Sequence, residues 1–106
     1  MKAKEWYAWI NVQPPPPDDF HVVGEILVNN PGLQAQLCVK EPQGSNPTTI
    51  LLDLYLFQRP GDWPQVMAWV EARYDKILIP SNPKYEQVEI FLDNERIAQV
   101  PVEEIH

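Results

Sequence analysis

The sequence predicts an all-β fold, an immunoglobulin-like β-sandwich of about seven antiparallel strands. Three observations carry that prediction. Apolar and polar residues alternate with period two through several segments, the signature of strands with one face buried. Clusters of Pro, Gly, Asn and Asp separate these segments at short, regular intervals. Twelve prolines, almost all between apolar runs, point to short elements joined by stiff loops. The alternative is an α+β fold, a sheet carrying one helix over residues 63–76.

The anchor is residues 50–57, Ile-Leu-Leu-Asp-Leu-Tyr-Leu-Phe, in which seven of eight residues are apolar or aromatic. Gly44, Asn46 and Pro47 precede it and Pro60 and Gly61 follow. So bracketed, the run reads as a central strand covered on both faces. Residues 5–12 bring Trp6, Tyr7, Trp9, Ile10 and Val12, strand-forming content that stops at Pro14–Pro17, a stiff polyproline II connector. Residues 20–28 set Phe20, Val22, Gly24, Ile26 and Val28 on one face, with His21, Val23, Glu25 and Leu27 on a solvated face. Asn29-Asn30-Pro31-Gly32 has the composition of a type II turn. Residues 33–40 then alternate Leu33, Ala35, Leu37 and Val39 against Gln34, Gln36, Cys38 and Lys40. The sequence therefore predicts a hairpin between 20–28 and 33–40.

Residues 64–74 fit two periods. Asp62 as N-cap and Gln65 in the capping-box position suit a helix. The alternation of Val66, Ala68, Val70, Ala72 and Tyr74 suits a strand, and in a chain otherwise reading as β the strand is preferred. Ile77–Ile79 makes a short strand or edge ending at a turn over 80–83. Residues 85–92 and 96–102 form a final hairpin through Asp93-Asn94-Glu95, residues that tolerate positive φ. Pro101 belongs at an edge or strand end, and residues 103–106 form a frayed tail.

At 106 residues and 44% hydrophobic content, the chain makes one domain, residues 1–106, with a core of its own. Fifteen acidic residues against eight basic give a net charge of −7. That balance argues against nucleic acid and anionic membranes, which draw on clustered Lys and Arg. The start of the chain has no signal-peptide pattern, and no apolar run approaches the roughly 18 residues that span a bilayer. With the single Cys38, this points to a cytoplasmic protein.

Catalytic chemistry finds little footing, and the reading is of a non-enzyme without metal or cofactor. His21 and His106 have no zinc-like spacing, and Gly24, Gly32, Gly44 and Gly61 stand alone instead of forming a phosphate cradle. Ser45 and Ser81 lack a nucleophile motif. Cys38 and His21, on the expected hairpin, both belong to its outward faces. Asp53 interrupts the central apolar run and needs Lys40 or Arg73 beside it if buried. Pro14–Pro17 contains P-x-x-P without a flanking base, which suits a connector better than a ligand.

The aromatic residues carry the functional reading. Opposite the aliphatic set lie Tyr7, Trp9, Tyr55, Phe57, Trp69, Tyr85 and Phe91. Gathered on one sheet surface they would exceed what a monomer ordinarily exposes. Such a face is a self-association or protein-partner surface, with Trp9, Tyr55, Trp69 and Phe91 as anchors. Asp18, Asp19 and Asp62 would favour a basic partner. A carbohydrate-binding module, its rings stacking on sugars, is the alternative. Asn46-Pro47-Thr48-Thr49 and Arg59-Pro60-Gly61-Asp62-Trp63 also resemble loop motifs of chagasin-type inhibitors of papain-like proteases. In that family a glycine follows the first motif, where Ile50 stands here, and Arg-Pro comes later in the chain. The resemblance implies a loop-based protease inhibitor.

Overall fold

The computed structural model describes residues 3–79 and 84–106, so the turn expected over 80–83 lies outside the described residues. Seven strands form: β1 (Ala3–Asn11), β2 (Asp18–Val28), β3 (Leu33–Val39), β4 (Thr49–Gln58), β5 (Ala68–Leu78), β6 (Gln87–Leu92) and β7 (Glu95–Ile105). The all-β fold is as the sequence predicts, and the described residues contain no helix. The strands follow one another in the order β3-β4-β6-β7-β1-β2-β5. The two end strands, β3 and β5, lie side by side without a ladder, so the sheet nearly closes on itself.

Two features depart from a wholly antiparallel sandwich. The β4–β6 and β1–β7 ladders are parallel. The expected hairpin does not form either: β2 pairs with β1 and β5, while β3 pairs with β4. The physical reason lies in the connection. The Asn30 side chain accepts the Gly32 N–H at 2.9 Å and exchanges amide hydrogen bonds with Gln58. The Arg59 N–H donates to the Gly32 carbonyl at 2.9 Å. These bonds fasten the segment to the end of β4 and carry the chain across the barrel. Gly32 does not supply the positive φ of a type II turn; the Trp63 ring lies where its Cβ would be.

β7 joins the two halves. Its first part runs antiparallel to β6 as far as Pro101, and Val102–Ile105 runs parallel to β1. Pro101, with no N–H to donate, stands where the partner changes. Residues 103–105 are therefore strand, not a frayed tail, and the Val12 N–H donates to the Ile105 carbonyl at 2.8 Å. The strand reading of 64–74 holds in type but shifts in position. β5 starts at Ala68 and runs through Ile77, absorbing the separate strand expected there. Asp93 and Asn94 both take positive φ, 51° and 66°, as their tight hairpin requires. Pro14–Pro16 form bends in place of a continuous polyproline helix.

Inside, Phe20, Val22 and Ile26 of β2 meet Ala8 and Ile10 of β1, Leu52 of β4 and Val88 and Ile90 of β6, all essentially inaccessible. β4 pairs on both edges but is covered on one face only: Tyr55 is 48% and Phe57 49% exposed. Its alternation of Ile50, Leu52 and Leu54 inward is the pattern of a strand facing the core with one side.

Candidate functional site

A bulge in β1 builds the surface of interest. Lys4 pairs with Glu25 and Tyr7 with Val23, so Glu5 and Trp6 together face Gly24, with Glu5 at φ 56°. The Trp6 indole lies on Gly24, where a Cβ would overlap the ring. Two residues against one reverses the inside–outside alternation along the strand. Tyr7 and Trp9 face outward after the bulge, and Lys4 faces outward before it.

The register then lays out a row across four strands: Glu103 of β7, Trp9 of β1, His21 of β2 and Asp75 of β5. Tyr7 donates its hydroxyl hydrogen bond to Glu103 Oε2 at 2.6 Å. The Tyr7 and Trp9 rings lie 5.2 Å apart and the Trp9 and His21 rings 5.0 Å apart, each pair tilted by about a third of a right angle (33° and 35°). His21 Nδ1 meets Asp75 at 2.5 Å and Nε2 meets Asp19 at 3.0 Å. Carboxylates only accept, so with both ionised both ring nitrogens donate and the ring is the imidazolium. Partial burial pulls the His21 pKa down, but the bonds and charges of Asp75 and Asp19 outweigh it and the net direction is up. For Asp75 burial raises the pKa, and the His21 and Arg73 bonds outweigh that and hold it below the usual range. Further along the same face, Lys4 Nζ sits 4.1 Å above the Trp69 ring and 3.6 Å from Glu25.

The four expected anchors divide between two surfaces. Trp9 and Trp69, with Tyr7, belong to this β1–β2–β5 face. Tyr55 and Phe91, with Phe57, lie on the outer face of β4 and β6. Tyr85 joins neither; its ring packs on Phe20 at 5.2 Å. On the second face Lys40, not Arg73, is the partner of Asp53, at 3.2 Å. Lys40 also donates to Asn94 at 2.8 Å and covers the Phe91 ring at 5.2 Å.

Other expected associations are taken apart by the topology. Cys38 pairs with Asp53 across β3–β4, while His21 belongs to the β1–β2–β5 ladders, so the two are not brought together. The Asn46–Thr49 motif runs into the start of β4 and the Arg59–Trp63 motif follows its end, with nine residues of strand between them, or ~30 Å. The second is a closed knot. Trp63 Nε1 donates to the Arg59 carbonyl at 2.9 Å, the guanidinium stacks 4.7 Å from the indole, and Arg59 Nη2 donates to the Pro31 carbonyl at 3.0 Å. Sequence reasoning missed Asp75, Arg73 and Glu103 as members of the site, because cross-strand register decides their neighbours. The i, i+2 spacing of Asp19 and His21 was a signal available in the sequence, since it puts both on one strand face.

Compared with family models, curated proteins and solved structures, the chain finds no significant match.

Proposed function

We propose that this chain is a non-catalytic binding module whose recognition surface is the outer face of β1, β2 and β5, with Trp9 and Trp69 as anchors for a protein partner. One observation carries the reading: Tyr7, Trp9 and His21 stack as a continuous path across two strands, on the same face as Trp69, itself 40% exposed. Rings of this kind supply large contact area at small cost in side-chain entropy. The polar groups around them are already bonded to one another, so the rings are held before a partner arrives, which lowers the entropic cost of binding. Tyr55 and Phe91 belong to a separate surface and serve the partner reading less well. A specific observation there favours the carbohydrate alternative: a cleft of about 260 Å³ is lined by Phe91, Glu89, Thr49, Ser45 and Asn46. An aromatic wall with hydroxyl, amide and carboxylate groups suits a sugar ring.

Peptide and glycan arrays probed with wild type, Trp9→Ala/Trp69→Ala and Tyr55→Ala/Phe91→Ala discriminate these readings. Sedimentation equilibrium of the same proteins covers self-association. The expected result is a loss of at least about tenfold in binding for the first pair alone. Equal losses in both pairs, or a loss confined to the second, would sink the proposal.

A further inference from the structure

We infer that the occupant of the Tyr7–Trp9 surface is a basic polypeptide segment, whose lysine or arginine side chain seats on these rings beside Glu103. This rests on the β1–β2–β5 face being the recognition surface and adds the chemistry of what it holds.

The first support is how the protein's own cations are used. Every described lysine and arginine already meets a carboxylate or a ring of its own chain. Lys4, Lys40, Arg73, Lys84 and Arg96 pair with Glu25, Asp53, Asp75, Glu104 and Glu89. Arg59 and Lys76 lie over Trp63 and Tyr85. The surplus is therefore acidic, in keeping with the net charge of −7. On this face Glu103 and Glu71 have no lysine or arginine within ion-pair distance among the described residues.

The second support is that the same face already contains such a socket, filled from within. Lys4 stands over Trp69 with the Glu25 carboxylate beside it. Trp9 and Tyr7 with Glu103 repeat that combination of ring and carboxylate, and no lysine or arginine among the described residues occupies it. A ring face attracts a cation through its quadrupole, and an adjacent carboxylate strengthens the site. The positive His21 ring beside Trp9 does not oppose this, because Asp19 and Asp75 enclose it.

A second copy of the chain is the poorer occupant. It brings the same negative charge, and its described lysines and arginines are already engaged.

The test is a ¹H–¹⁵N NMR titration of the whole chain with a blocked hexapeptide of alternating Lys and Thr, and with its Gln-for-Lys counterpart. The Lys peptide is expected to shift Tyr7, Glu103 and the Trp9 indole N–H, and the Gln peptide is not. Binding should weaken about fivefold in Glu103→Gln, survive in Tyr7→Phe, which keeps the ring, and weaken again as salt rises. If Glu103→Gln disturbs folding, the salt series and the Gln peptide decide in its place. Equal shifts with both peptides, or shifts at these residues with an oligosaccharide alone, would overturn the cationic occupant while leaving the face as a recognition surface. Shifts confined to the Tyr55 side would overturn both, and no shift with the Lys peptide at millimolar concentration would overturn the inference.

Discussion

On the outer surface of β4 and β6, one side of the Phe91 ring is covered by the protein's own chain: Lys40 spans Asp53 and Asn94 and lies over the ring. Around Trp9, the outer surface of β1 and β2 is organised by the chain but not covered by it. Glu103 fixes Tyr7 at one end, and the carboxylates around His21 fix the other. Both surfaces began as the outward half of a period-two pattern. What separates the Phe91 and Trp9 rings is whether a lysine of the described chain lies over them, as Lys40 does over Phe91. Phe91 under Lys40 is held in the scaffold; Trp9, bordered by carboxylates, is open to something positive, and Trp69 stays 40% exposed beside Lys4.

Removing the device that creates the first surface should have the largest effect. Gly24→Ala puts a methyl group into the Trp6 ring, so either the indole shifts off the core it packs against or the strands part. A loss of about 3 kcal/mol is expected in urea denaturation. The bulge should move with it, which would show as shifted backbone resonances of Lys4 and Tyr7.

Next in size is the closure of the second surface. Lys40→Met leaves the half-buried Asp53 without its cation and should cost about 1–3 kcal/mol. Lys40→Met/Asp53→Leu should recover part of that loss, since neither charge then remains to be satisfied. Binding at the Trp9 surface should not change in either variant, and a change there would erase the distinction between the two.

A smaller effect separates the surfaces by pH. The folded state raises the His21 pKa above its usual 6.5, so its contribution to stability is complete below that value and fades as pH climbs through the raised one. Asp75 is lowered from 3.8, so its contribution is present above that value and fades as pH falls through the lowered one. Stability from this cluster is therefore greatest between these two usual values. His21→Gln should flatten the decline on the alkaline side, and thermal unfolding across pH 5–9 measures it. The smallest effect belongs to Tyr7→Phe: its hydroxyl bond to Glu103 is exposed, so the unfolding midpoint should hardly move.

Much of the fold was legible because period two reports which side of a strand meets the core. Phe20, Val22, Ile26, Leu37, Leu52 and Leu54 all turn inward as their alternation requires. The pattern carries no information about which strand lies alongside, and the supposed hairpin of β2 with β3 failed on that point. Glycine positions concealed a second kind of fact. Gly24 and Gly32 each receive a tryptophan from a distant part of the sequence, Trp6 and Trp63. Neither is needed for a turn. The candidate site was half legible: Trp9 and Trp69 were named from their outward positions, but Asp75 and Glu103 join them only through the register of β5 and β7.

The most direct test of the recognition surface is photocrosslinking in living cells from a benzophenone amino acid placed at one of two positions. Val23 lies amid the Tyr7, Trp9 and Arg73 surface, and Leu51 lies amid the Asp53, Glu89 and Phe91 surface. A discrete adduct from position 23, absent from position 51 and lost when Trp9→Ala is added, is the expected result. Adducts from position 51 alone, or from position 23 undiminished by Trp9→Ala, would contradict it.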